Sequence, residues 1–218
     1  MKIIVENCGK SFHRQWLYRN INYTFEIPEK DNSTTIALLG SNGSGKSTFG
    51  LMLLGQISPT EGSITWLDNN NKKLSIAEII SQSILISPGL ELPEELSLTE
   101  WFNFHSSLRG FSNNFNLSML LEMCSFPNNT LTKSLGTFSS GMKQRVKLVT
   151  GFFTRSSVLF LDEPLSNLDD KGILLYQELV SKFTANRLII VASNRTDEYE
   201  FCTNGIKIQN GGLETINF

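Results

Sequence analysis

A lysine, a serine and a pair of adjacent carboxylates carry the chemistry that this sequence advertises. Lys46 and Ser47 close the run Gly40-Ser41-Asn42-Gly43-Ser44-Gly45, and Thr48 follows them; Asp162 and Glu163 close the apolar run Val158-Leu159-Phe160-Leu161. The spacing from Gly40 to Gly45, Lys46 and Ser47 fits a phosphate-binding loop, in which glycines let the backbone curl so that successive N–H groups face one anion. In such a loop Lys46 reaches the outer phosphates and the Ser47 hydroxyl ligates Mg²⁺. Two acids at the end of a buried strand complement it: Asp162 would hold the metal and Glu163 would polarise an attacking water. Ser139, Ser140 and Gly141 open a third candidate, because serine hydroxyls beside helix N-terminal N–H groups can receive a phosphate. The same serines are equally suited to ordinary helix capping.

These residues need elements to hold them. Thr35 to Leu39 reads as a buried strand before the glycine loop, and Ser47 to Gly55 as the helix after it, whose positive end faces the loop. Further buried strands are expected at Gln82–Ser87, Ser157–Leu161 and Leu188–Ala192, the last running into Ser193-Asn194-Arg195. Helical periods mark Leu98–Leu108, Leu117–Cys124 and the stretch after Ser139, with a polar tip at Gly110–Asn116; a further helix is expected from Gly172 to Phe183. At the N-terminus a short strand is expected at Lys2–Glu6, a turn at Cys8–Arg14, a second strand at Tyr18–Ile27 and a polar loop at Pro28–Ser33. Ser63–Leu67 reads as a strand, and Asn210-Gly211-Gly212 as the turn of a closing hairpin. Phe12 and Trp16 are aromatics in polar surroundings, suited either to stacking on a purine or to anchoring a core.

The chain of 218 residues carries 19 basic and 21 acidic side chains, a formal charge of −2 that gives no footprint for nucleic acid. Cys8, Cys124 and Cys202 are far apart with no CxxC pair, which disfavours a disulfide framework or a zinc site and suits a reducing compartment. No apolar run is long enough to cross a bilayer, and the first residues lack the pattern of a signal peptide. A cytosolic protein is the expectation.

Taken in order and spacing, GSNGSGKST, FSSGMKQR, VLFLDEP and LSNLD resemble the ATP-binding subunit of an ABC transporter over nearly the whole chain. That resemblance implies an α/β fold: an ABC-type ATPase core of the phosphate-loop class, with an N-terminal antiparallel β region and an inserted helical subdomain at roughly 97–147, in one ATP-binding domain over 1–218. It implies Mg²⁺ and ATP, a dimer of nucleotide-binding domains, homomeric or heteromeric, and a separate transmembrane subunit that holds the protein at the cytoplasmic face of a membrane. By the same resemblance Phe12, with Trp16 as substitute, stacks on adenine. Ser139, Ser140, Gly141 and Met142 fill the signature positions. Glu163 and Lys46 are catalytic, and Asn194 stands where the family has its switch histidine. Pro88-Gly89 stands where the family has a metal-sensing glutamine that also contacts the membrane partner. The compact helical lobe looks like exporter-type ATPases such as the haem-exporter subunit of cytochrome c maturation. Two rival expectations are a soluble ABC ATPase working without a membrane partner, and an ATP-gated switch that does not hydrolyse.

Overall fold

The computed structural model describes residues 1–28, 32–112 and 114–216. Glu29, Lys30 and Asp31 of the expected polar loop and Asn113 of the expected helical tip lie outside them. The chain folds into two compact units: Met1–Leu85 with Ser156–Asp162 and Ala185–Phe218, and Ile86–Arg155 with Glu163–Thr184.

The first unit is built on two sheets. Strands β1 (Lys2–Phe12), β2 (Gln15–Glu26) and β4 (Glu61–Leu67) form an antiparallel sheet in the order β2-β1-β4. The turn expected at Cys8–Arg14 is a correction: β1 continues to Phe12, and only His13 and Arg14 turn, both at positive φ, as a two-residue hairpin loop requires. The strand persists because its register shifts between Val5 and Cys8, with Asn7 at φ 45°, so Cys8 returns to the buried side. Sequence alternation is broken at that bulge, and the break reads as a turn.

The larger sheet has the order β5-β6-β7-β3-β8-β9, from β3 (Thr34–Leu39), β5 (Ser83–Ile86), β6 (Val158–Asp162), β7 (Leu188–Ala192), β8 (Asn204–Gln209) and β9 (Gly212–Ile216). Strands β6, β7, β3 and β8 are parallel and β9 closes the edge as an antiparallel hairpin. Every residue of β6 and β7 is buried, as expected of parallel strands covered on both faces. Helix α1 (Lys46–Leu53) packs so closely on β6 that a Cβ at Gly50 would come within 2.3 Å of the Phe160 ring. Trp66 of β4 donates its indole N–H to Leu53 O at 2.8 Å, tying the end of α1 to the small sheet. Helix α2 (Ile76–Gln82) replaces the first residue of the strand expected at Gln82–Ser87. It starts in a capping box between Ser75 and Glu78, a signal that the sequence carries. The short helix α7 (Thr196–Tyr199) was also not foreseen.

The second unit is helical: α3 (Leu98–Arg109), α4 (Leu117–Cys124), α5 (Ser140–Phe153) and α6 (Asp170–Lys182). Its core is aromatic, with Phe115 stacked on Phe153 at 4.2 Å and Phe102 on Phe111 at 4.8 Å. His105 belongs to this core. Its ring lies 17° from the plane of Phe111, Nε2 is 2.8 Å from Thr154 Oγ1, and burial, then Arg109, pushes its pKa down to about 4. The hydroxyl of Thr154 donates to Thr150 O, so neutral His105 donates to Thr154. The three cysteines are buried small apolar residues without disulfides. Among the described residues no helix is long and apolar enough to cross a membrane.

Candidate functional site

Three parallel strands deliver their C-terminal ends to one line. Leu38 of β3 pairs with Ala192 of β7, which pairs with Asp162 of β6. With strands about 4.8 Å apart, the loop from Gly40, the segment Ser193-Asn194 and the Asp162 carboxylate emerge side by side. This is the edge at which parallel α/β sheets bind ligands, because the strands' loops and the helices' N-termini converge there.

The glycine loop has the backbone that its sequence implies. Gly40, Gly43 and Gly45 lie at φ 151°, 80° and 97°. Gly45 is the residue before α1, left-handed, with no side chain capping the helix. It also lies against β2: a Cβ there would come within 2.7 Å of the Tyr18 ring. Lys46 is 7% exposed and folds its ammonium back onto the loop, donating to Gly40 O at 2.7 Å and Ser41 O at 3.4 Å. An ammonium held by carbonyls of its own loop is a cation kept beside the loop's backbone. Ser41, Asn42, Gly43 and Ser47 are exposed, and Ser44 and Thr48 partly so.

Asp162 is 9% exposed at the end of β6. With the exposed Ser47 hydroxyl it offers hard oxygen donors, the chemistry that suits Mg²⁺ completed by water and phosphate oxygens. Among the described residues no group of three or more His, Cys, Asp or Glu gathers to hold a metal.

Asn194, exposed after β7, donates from Nδ2 to Oδ1 of the loop residue Asn42 at 2.7 Å. The segment is held on both sides: Ser193 N donates to Leu38 O at 3.3 Å and Ser193 Oγ accepts from Arg195 N at 2.8 Å. Phe12 and Trp16 stand at the β1–β2 hairpin tip, 48% and 43% exposed, under the cations of Lys10 and Arg19 respectively. A cavity of about 450 Å³ beside the loop is lined by Ser41, Ser44, Leu17 and the end of β8 with the turn after it, from Lys207 to Gly211. Neither aromatic lines it.

The remaining site residues lie in the second unit. Ser139 caps α5, its hydroxyl accepting from Met142 N at 3.2 Å; Ser139 and Ser140 are exposed. Gly141 faces Asn167 so closely that a Cβ would come within 2.8 Å of Asn167 O. Glu163, next in the chain after Asp162, is exposed and holds φ 44°, a left-handed backbone in which non-glycine residues are uncommon. The turn that it begins is closed by Ser166 N donating to Glu163 O at 3.1 Å and ends at Asp169, which pairs with Arg145 of α5. Backbone donation from Gly172, then Arg145, holds the Asp169 carboxyl below its ordinary pKa.

Sequence reasoning missed one cation here. Lys147 of α5 donates to the carbonyls of Ser87 at 2.8 Å, Leu90 at 3.1 Å and Pro88 at 3.4 Å, and so holds the segment that carries Gly89. Burial, then the neighbouring Lys143, lowers its pKa. Only its place on α5, one turn after Lys143, could have hinted at it.

The sequence pattern of the ABC transporter family matches residues 20–166. An uncharacterized ABC transporter ATP-binding protein of Bacillus subtilis strain 168, YybJ, is 29% identical over 216 residues, covering 98% of this chain and 95% of its own. The lantibiotic transport ATP-binding protein SrtF of Streptococcus pyogenes is 29% identical over 190 residues, 87% of this chain and 78% of its own. Among solved structures, a dimeric ATP-binding cassette in a post-hydrolysis state with ADP and Pi superposes with a TM-score of 0.77 at 18% identity, covering 99% of this chain and 98% of that one.

Proposed function

The chain belongs to the ABC transporter family of ATPases, and from that membership we propose that it is the nucleotide-hydrolysing subunit of a membrane exporter, acting as a dimer. The observation that carries this reading is the common line of Leu38, Ala192 and Asp162, which sets the glycine loop, Asn194 and the Asp162 carboxylate along one sheet edge. The whole chain then works as one ATP-binding domain, with a helical subdomain at roughly 97–147.

In this reading the phosphates lie against the N–H groups of Ser41 to Thr48 at the positive end of α1. Lys46 exchanges its bonds to Gly40 and Ser41 for the outer phosphates. Ser47 and Asp162 would hold Mg²⁺, which would supply positive charge to the phosphate oxygens. Glu163 accepts the proton of a water whose oxygen bonds to the γ-phosphorus; the bond to the β–γ bridging oxygen breaks, leaving ADP and phosphate. Asn194 donates to the γ-phosphate as an amide in place of a histidine. Phe12 stacks on adenine, with Trp16 at the same hairpin tip. Ser139, Ser140 and Gly141 of a second copy complete the site, so binding assembles the dimer and hydrolysis releases it. A separate transmembrane subunit carries the cargo path, and this chain works at the cytoplasmic face through it. Asn194 cannot carry the charge of a histidine and Gly89 brings no side-chain amide, so turnover is slower than in relatives that keep both residues.

Glu163→Gln tests the proposal. It keeps ATP binding, lowers turnover by about 100-fold or more, and accumulates a dimer in ATP that light scattering detects. Hydrolysis at the wild-type rate by this variant would remove Glu163 from the chemistry.

A further inference from the structure

The geometry assigns Asn42, whose side chain the phosphate loop does not need for its N–H groups, as the positioning residue that orients the Asn194 amide toward the γ-phosphate. This rests on the proposed ATPase reading and goes beyond it. An amide side chain presents a donor on one side and an acceptor on the other, and a half-turn about its last torsion exchanges them. Only the donor face helps a phosphate; the oxygen face repels it. In this structure Asn42 selects one of the two arrangements, its Oδ1 accepting one N–H of Asn194 at 2.7 Å. With Nδ2 held on the side of the loop, its second hydrogen is left for the phosphate, and Oδ1 of Asn194 is turned away. The backbone cannot supply this control. Ser193 and Arg195 are anchored by their own bonds, to Leu38 O and Ser193 Oγ, but these fix the main chain and leave the amide torsion open. Both asparagines are exposed, so water competes for the pair and the effect is moderate.

The test is a double-mutant cycle of Asn42→Ala and Asn194→Ala, with kcat from phosphate release and ATP affinity from direct titration. Asn194→Ala is expected to lower kcat about 10-fold, and Asn42→Ala about 3- to 5-fold, with affinity for ATP within about twofold because backbone N–H groups hold the phosphates. The deciding result is the double variant: it falls no further than Asn194→Ala alone, since Asn42 acts only through Asn194. Multiplying effects, an Asn42→Ala variant as fast as wild type, or one that loses affinity about tenfold with kcat intact would each overturn the assignment. Lys46→Ala and Glu163→Gln run alongside. If both keep wild-type turnover, the ATPase reading fails and the assignment with it; if both are inactive and the cycle is multiplicative, only the role of Asn42 fails.

Discussion

Helices α1 and α5 both begin among glycines and small hydroxyl residues, and by resemblance both ends serve phosphate, yet their first N–H groups are in different states. At α1 the preceding residue is a left-handed glycine, Gly45, with no side-chain cap, and the first helical bond runs from Phe49 N to Gly45 O at 2.8 Å. At α5 the preceding residue is Ser139 in an extended conformation, its hydroxyl already engaged by Met142 N. The first is an incomplete helix end that an anion would finish, with a lysine stored beside it. The second is a finished helix end, stable alone, that an anion can only approach from outside. The difference suits a nucleotide held firmly by its own loop and reversibly by the signature of a second copy.

The largest effect expected from this comparison is on Lys46. Lys46→Ala removes the side-chain cation that bonds the loop's own carbonyls, and losing a charge-assisted phosphate contact costs about 2 kcal/mol or more, roughly 30-fold in ATP affinity by direct titration. Retention of wild-type affinity would dissolve the contrast, since α1 would then be an ordinary helix end.

The two glycines sharpen it next. Gly45→Ala must adopt φ 97° and meets the Tyr18 ring, so a loss of about 2 kcal/mol is expected, seen as a fall in Tm of about 4–8 °C. Gly141→Ala has no positive φ and meets only Asn167 O at 2.8 Å, which the adjoining turn must yield to; about half that loss is expected. A larger loss at Gly141 than at Gly45 would place the strained helix end at α5.

The glycine loop between β3 and α1, β6, β7 and the closing hairpin were legible because each is local: a buried run and its breaker lie within a dozen residues. Helix α2 was legible in principle, through Ser75 and Glu78, but its seven residues carry little apolar periodicity. The extent of β1 was hidden by the bulge at Asn7, which shifts the alternation on which strand reading depends. Contacts far apart in sequence were out of reach. Asn42 and Asn194 were each identified as site residues, yet 152 positions separate them and only the pairing of β3 with β7 brings them into contact. Lys147 is one of three cations spaced along α5 with Lys143 and Arg145, and its three carbonyl partners lie 57 to 60 positions away.

The smallest effect expected is also the one that separates the two uses of Ser139. Ser139→Ala removes the cap on Met142 N and should cost about 1 kcal/mol, a fall in Tm of about 2–4 °C. Taken alone this loss would confuse capping with phosphate binding, because turnover could fall through either. Ser139→Asp parts them. Aspartate caps as well as serine, and its charge favours the positive end of α5, so stability should stay at the wild-type level or rise by a few tenths of a kcal/mol. The same carboxylate repels a γ-phosphate brought by a second copy, so ATP-dependent dimerisation of the Glu163→Gln protein should be lost when Ser139→Asp is added. Thermal melting and light scattering of the combined variant read the two roles independently. A stable combined variant that still dimerises in ATP would mean that the end of α5 is a capped helix and nothing more, and the contrast with α1 would become one between a site and a structural element.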